Sequence, residues 1–193
     1  MRHRIFTAIN LPENIKKELS SFQSKWPELP CRWTKTENLH ITLEFLGYLT
    51  DEELIELCQK IRKIASEKKA FSVHLNKVCY GPPKKIPPRM VWVMGEKIKE
   101  LNISPHITLG RIKTWEFRQI EPEERPEINE EIDLSFEVNS IEVMESQLKR
   151  GGPDYTILES CPCFEVNSIE VMESQLKRGG PDYTILESCP LKK

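Results

Sequence analysis

Strand-like and helix-like stretches alternate along this chain, and that mixture predicts an α+β protein with helices packed outside antiparallel sheets. Three observations carry the prediction. Apolar residues recur at helical spacing in two stretches, Ile15-Leu19-Phe22-Trp26 and Leu54-Leu57-Ile61-Ile64. Others alternate with period two, as in Phe71-Val73-Leu75. A strand-type box occurs twice, as His40-Ile41-Thr42-Leu43 and His106-Ile107-Thr108-Leu109.

The elements follow in order. Ile5 to Ile9 reads as a first strand. Pro12 then suits the first turn of the helix that carries the Ile15 stripe, because its fixed φ is already helical and its missing N–H costs nothing there. Leu39 to Leu46 is the strand of the first box. Thr50 and Glu53 have the spacing of a capping box and start the second helix. After the Phe71 strand, Gly81-Pro82-Pro83-Lys84-Lys85-Ile86-Pro87-Pro88 excludes regular structure and reads as a loop between two lobes. Met90 to Met94 resumes as strand. Near the C-terminal end, Phe136 and Val138 alternate, Asn139-Ser140 interrupts the phase as a bulge would, and Ile141 and Val143 resume it. Gly151-Gly152-Pro153 then turns the chain into a returning strand with Tyr155 and Ile157 on one face.

That last unit is duplicated. Phe136 to Pro162 recurs without a change as Phe164 to Pro190, and such identity marks a recent duplication or an artefact, since evolved repeats drift. The expected layout is one domain over residues 1–162, with lobes roughly 1–80 and 81–162 that are free to exchange strands. Residues 163–193 then form a duplicate hairpin plus tail, able to swap between molecules.

Composition narrows the function. With 193 residues and a net charge of -2, the chain lacks the basic surface that broad duplex binding requires, so any nucleic-acid contact is local. Local patches are Lys84-Lys85 with Arg89, Arg111 with Lys113 and Arg118, and Lys149-Arg150. Met1 to Ala8 has no apolar leader pattern and no stretch approaches a membrane span, which sets the expectation of a soluble, cytoplasmic protein. Six cysteines without a C-x-x-C pair give no zinc motif.

In an extended strand, residues two apart point the same way, so each box places its His and Thr on one face and its Ile and Leu on the other. Two such boxes offer two imidazoles and two hydroxyls to one ligand, and a phosphate ester fits them. Strict alternation turns Arg111 away from His106 and Thr108 unless Gly110 bends or bulges the strand. Trp33 and Phe45 read as core, Tyr48 as a ring able to stack on a base, and His3 and His74 as surface or strand residues without a role in the site.

His40-Ile41-Thr42-Leu43-Glu44-Phe45-Leu46-Gly47 and Pro105-His106-Ile107-Thr108-Leu109-Gly110-Arg111 resemble the paired signature of the two-histidine phosphoesterases. Within them the similarity is greatest to the RNA 2',3'-cyclic phosphodiesterase group, long called 2'-5' RNA ligase. It extends to Arg4 through Asn10, Arg32-Trp33, Pro88 through Trp92, Glu145 through Leu148 and Gly152 through Tyr155. The resemblance implies two pseudo-symmetric lobes with antiparallel sheets around a central cleft. It implies hydrolysis of a 2',3'-cyclic phosphate to a 2'-phosphate by acid–base catalysis, together with the reverse 2'-5' ligation. His106 becomes the base, His40 the acid, Thr42 and Thr108 donors to the phosphoryl oxygens, and Arg111 the phosphate-site arginine. No cofactor or metal is expected. The implied partners are RNA ends, such as tRNA halves or oligoribonucleotides carrying the cyclic phosphate, and the expected acting species is a monomer. Relatives carry a full helix between Met94 and the second box. Here only Lys97 to Leu101 remains, about one turn, so the second lobe is expected to be thinly covered. Two other readings stand beside this one: a non-catalytic module that binds RNA ends, and a hydrolase of small cyclic nucleotides.

Overall fold

The structure is a computed structural model; it describes residues 1–150 and 152–163 in full, and the backbone of 168–177 and 180–190. The chain divides into two compact units, Met1–Cys163 and Phe164–Lys193.

In the first unit, β1 (Arg2–Asn10) leads into helix α1 (Glu13–Phe22), with Pro12 as the residue before it. Ile15 and Leu19 point into the core, and Trp26 continues their stripe beyond the helix. The short strand β2 (Cys31–Trp33) and a 3₁₀ turn at Thr36–Asn38 precede β3 (His40–Thr50). The capping box forms as the spacing requires: Glu53 N–H donates to Thr50 Oγ1 at 3.3 Å, and Thr50 N–H donates to the Glu53 carboxylate at 2.8 Å. Helix α2 (Asp51–Ser66) starts there. Its Ala65 is buried with Ile141, Cys161 and Cys163, while Ile61 packs at the margin of that cluster.

The remaining strands are β4 (Phe71–Gly81), β5 (Met90–Gly95), β6 (His106–Ile112), β7 (Asn129–Val138), β8 (Ser140–Lys149) and β9 (Gly152–Pro162). A short helix α3 (Thr114–Arg118) follows β6 and buries Phe117. The strands form one antiparallel sheet in the order β7-β4-β5-β6-β3-β1-β8-β9, with β2 also on β6. Its two four-stranded halves each begin on a box strand, β3-β1-β8-β9 on one side and β6-β5-β4-β7 on the other. They join through a single residue pair, Ile41 opposite Ile107. Both side chains are wholly buried, so the seam is apolar and the histidines on either side of it face away from the core.

Four sequence expectations change. The Gly81–Pro88 segment is the loop of a β4–β5 hairpin inside one half, because the two strands pair directly from Gly81–Met90 back to Leu75–Gly95. A lobe boundary near residue 80 therefore falls at the end of β4, which belongs with β5 to β7. Asn139 is not a bulge: β7 pairs with β4 and β8 pairs with β1, so the chain crosses there from one half to the other. Lys97 to Leu101 holds no helical turn, since Ile98 and Ile103 close a turn by mutual backbone hydrogen bonds. Nor is β5 thinly covered, because it is paired on both sides and Val91 and Val93 are wholly buried.

The duplicated sequence gives a duplicated hairpin. In the second unit β10 (Ser168–Lys177) pairs with β11 (Gly180–Pro190). The register is that of β8 on β9, with the same irregularity, at Val143/Met144 in one copy and at Val171/Met172 in the other. Among the described residues it is the first copy that completes the sheet, on β1. Gly151 and the side chains of the second copy lie outside the described residues, and no helix of the described chain is long and apolar enough to cross a membrane.

Candidate active site

Each box strand carries a bulge at the same place. On β3, Thr42 lies opposite Ala8 and Glu44 opposite Thr7, so Leu43 is an extra residue. On β6, Thr108 lies opposite Trp92 and Gly110 opposite Val91, so Leu109 is the extra one. An inserted residue shifts the alternation by one, so the fifth residue after each histidine returns to the histidine's face. In one box that residue is Arg111, and in the other it is Phe45. The condition that strict alternation set for Arg111 is thus met, one residue earlier than Gly110.

Gly110 contributes by its bareness. A Cβ there would meet Cys31 Sγ at 2.5 Å and the Trp33 ring at 2.7 Å, so a side chain would push β2 off β6. As it is, β2 pairs with β6, placing Arg32 opposite Arg111.

These elements enclose a cleft of about 130 Å³ that brings all five predicted site residues together: His40, Thr42, His106, Thr108 and Arg111. Phe45 lines it too. Far from packing in the core it is 70% exposed, because the bulge at Leu43 moved it to the open face. Trp33 is half-buried, at once against the core and on the cleft wall. Tyr48 is exposed, outside the lining residues.

His40 is tightly held. Its Nδ1–H donates to the Asn38 carbonyl at 2.7 Å, which leaves Nε2 at 3.0 Å from Thr42 Oγ1. Phe6 and Tyr155 pack on the ring with centroids at 5.1 and 5.0 Å, the tyrosine edge-on. Asn38 is itself anchored by its amide N–H, which donates to the Pro153 carbonyl at 3.0 Å. The 3₁₀ turn and the start of β9 therefore position this histidine jointly. His106 is held by stacking: its ring lies 4.3 Å from the Trp92 indole, tilted by 33°. Trp92 sits over Gly81, where even a Cβ would come within 2.3 Å of the indole.

Burial pushes both imidazoles below the ordinary histidine pKa. For His40 burial outweighs the Asn38 carbonyl, which favours the charged ring, and the charges of Lys16 and His106 push the same way as burial. For His106 burial alone acts. Burial also raises the Tyr155 hydroxyl, against the opposing effect of Arg111 and Arg4, so it stays a proton donor at neutral pH. Among the described residues no cluster of His, Cys, Asp and Glu is arranged to hold a metal ion.

Asn38, Trp92, Tyr155 and Arg32 are not singled out in the sequence as site residues, although the resemblance spans the last three; Asn38, Tyr155 and Arg32 line the cleft, and Trp92 acts on it through its stack on His106. The equal offset of Phe45 and Arg111 from their histidines was the one available hint. His3 and His74 lie away from the cleft, bridging Glu145 to Asp51 and Asp133 to Glu96.

The LigT-like phosphoesterase family model matches residues 9–92. Over 176 residues the chain is 28% identical to the RNA 2',3'-cyclic phosphodiesterase of Methanocaldococcus jannaschii, covering 81% of this chain and 98% of that protein. Over residues 9–92 the chain is similar to the LigT-like phosphoesterases. A second relative, the RNA 2',3'-cyclic phosphodiesterase of Thermotoga maritima, is 27% identical, with 82% of this chain and 94% of that protein covered. TT0787 of Thermus thermophilus superposes with a TM-score of 0.72 at 25% identity, covering 83% of this chain and 97% of that one. E. coli LigT complexed with phosphate shares the fold, with a TM-score of 0.64 at 24% identity over 85% and 99% of the two chains. The chain thus shares with these proteins an antiparallel sheet, and its two box strands meet at the cleft.

Proposed function

We propose that this chain is an RNA 2',3'-cyclic phosphodiesterase that opens the cyclic phosphate to a 2'-phosphate without a metal. One observation carries the reading: two imidazoles, two hydroxyls and a guanidinium line one cleft, the guanidinium turned into it by the bulge at Leu109. In this scheme His106 takes a proton from water, the water oxygen bonds to phosphorus, the bond from phosphorus to the 3'-oxygen breaks, and His40 protonates that oxygen. The Asn38 carbonyl supports the division of roles, since it stabilises the imidazolium that an acid requires, whereas His106 has burial and a stacked indole. Each role is worth roughly 10² to 10⁴ in rate. Thr42, Thr108 and Arg111 hold the phosphoryl oxygens as charge develops on them. Phe45 offers its exposed face for a base to stack on, a contact worth about 1–3 kcal/mol.

With the 5'-hydroxyl of a second RNA end in place of water, the same groups perform 2'-5' ligation of RNA ends such as tRNA halves: the 5'-oxygen gives its proton to His106 and bonds to phosphorus, the bond to the 3'-oxygen breaks, and His40 protonates that oxygen. We place the activity in the cytoplasm, in keeping with the free thiols at Cys31, Cys58, Cys79, Cys161 and Cys163. The acting species in this reading is a monomer, with the duplicated hairpin the route to any swapped form. The test is incubation of an oligoribonucleotide ending in a 2',3'-cyclic phosphate with the protein in EDTA, followed by assignment of the product phosphate. A 2'-phosphate is expected. Binding without turnover would make the chain an RNA-end binding module, and activity lost in EDTA but restored by Zn²⁺ would overturn the metal-free scheme.

A further inference from the structure

Residues directly opposite in an antiparallel pair project from the same face, and like charges in that position repel. Arg32 on β2 and Arg111 on β6 are such a pair, and both line the cleft. Among the described residues neither guanidinium forms an ion pair, although eleven other ion pairs occur there. Lys35 adds a third cation to the lining, and no Asp or Glu belongs to it. A cyclic phosphate diester carries one negative charge, and Arg111, on the face of His106, suffices to meet it. The second guanidinium is left over.

It also lies close to a second strand. Gly152, at the start of β9, has a φ of +120°, and a Cβ there would fall 2.3 Å from Arg32 Nη2. The guanidinium thus rests against bare backbone beside Pro153 while its residue remains exposed to solvent. An exposed and unneutralised arginine beside a phosphate site has the form of a second anion subsite.

Resting on the phosphodiesterase reading, we infer that Arg32 binds the phosphodiester one nucleotide upstream of the cyclic phosphate, so the enzyme selects RNA chains over single cyclic nucleotides. The rest follows from counting charges. A nucleoside 2',3'-cyclic phosphate leaves Arg32 facing Arg111 unneutralised, whereas a dinucleotide ending in the same group brings one anion to each.

The experiment compares kcat/KM for a nucleoside 2',3'-cyclic phosphate and for a dinucleotide ending in a 2',3'-cyclic phosphate, in the full chain and in Arg32→Gln and Arg32→Lys. Loss of one charge-assisted contact predicts that Arg32→Gln lowers the dinucleotide-to-mononucleotide ratio by about 10- to 100-fold. The slope of log kcat/KM against log salt for the dinucleotide should shrink by about 0.7. Arg32→Lys keeps the charge, so it should retain the slope and recover part of the ratio. A merely structural role would not move the salt slope. Unaltered ratio and slope in Arg32→Gln would overturn the inference and leave the phosphodiesterase reading standing. No hydrolysis of either substrate by the unmodified protein would overturn that reading, and the inference with it.

Discussion

Gly81 lies outside the lining of the cleft, yet its substitution by alanine should disable His106. Its backbone does not demand glycine; only space does. A Cβ would lie 2.3, 2.6 and 2.7 Å from three ring atoms of Trp92. Carbon atoms at ease sit about 3.5–4.0 Å apart, so the indole must retreat by roughly 1.2 Å. The direction of retreat is fixed by the sheet. β5 lies between β4 and β6, so a push from Gly81 on β4 drives the Trp92 ring towards β6, where it already stacks on His106 at 4.3 Å. Overpacking of this kind costs roughly 1–3 kcal/mol, and a catalytic group displaced by about 1 Å loses on the order of 10² in rate. Gly81→Ala should therefore lower kcat on the cyclic-phosphate oligoribonucleotide by about 10² at a temperature where the protein remains folded. Adding Trp92→Leu removes the crowded ring, and should recover stability without recovering kcat, because the stack that orients His106 is gone. A Gly81→Ala variant with undiminished kcat would refute the reasoning, as would a double variant that regained full activity.

Three further outcomes are expected. His40→Ala and His106→Ala should each cut turnover by at least roughly 10² with the fold intact. The pH profile of kcat/KM should fall on the acid side as His106 gains its proton and on the alkaline side as His40 loses its own. Because both pKa values are lowered, the optimum belongs below about 6.5, and a rate still climbing above that pH would overturn the division of roles. His3 has a raised pKa, chiefly through its hydrogen bonds to Glu145 and then Asp51, so its stabilising contribution is complete below 6.5 and is lost as pH rises through the folded value. Denaturant melts should show that loss in the parent and not in His3→Asn. Finally, deletion of Phe164 to Pro190 leaves Met1–Cys163 with its own β8–β9 hairpin, so stability should change by less than about 0.5 kcal/mol and activity should persist. A truncated protein that failed to fold would show the second hairpin to be needed.

Local rules carried the sequence reading far. Periodicity located β1, β3, β4, β5 and both long helices, and the Thr50–Glu53 spacing placed the start of α2 to the residue, because each depends only on neighbours within a turn or a pleat. Alternation within each box likewise put His40 with Thr42 and His106 with Thr108 on one face, whereas Arg111 came from the resemblance and reaches that face only through the bulge at Leu109. What failed was whatever depends on a partner strand. Phe45 looked like core because nothing in His40 to Gly47 announces that β1 skips Leu43; the bulge exists only in the pairing. Asn139 looked like a bulge within one strand because its neighbours continue the alternation, although their partners, β4 and β1, lie in different halves of the sheet. Likewise the opposition of Arg32 and Arg111 is a register fact, invisible in two arginines so far apart along the chain.

In the proposed phosphodiesterase reaction, the equal bulges also account for how a nearly symmetric site acts on an asymmetric substrate. Backbone, histidine, threonine and bulged leucine repeat in both halves, so the fold supplies two equivalent imidazoles, and by themselves these give no preference for the direction of proton flow. The fifth residue breaks the tie: an apolar ring at Phe45, a cation at Arg111. A nucleotide end has the same polarity, a flat base on one side and an anion on the other, and it can lie across the Ile41–Ile107 seam in only one sense if both are to be matched. That sense fixes which ribose oxygen each histidine faces. The carbonyl of Asn38 then adds a second asymmetry, bracing one imidazole for its charged form while its counterpart rests on Trp92. In this account the division into acid and base comes from the residues that differ between the two halves, and the repeated boxes supply only the chemistry to be divided.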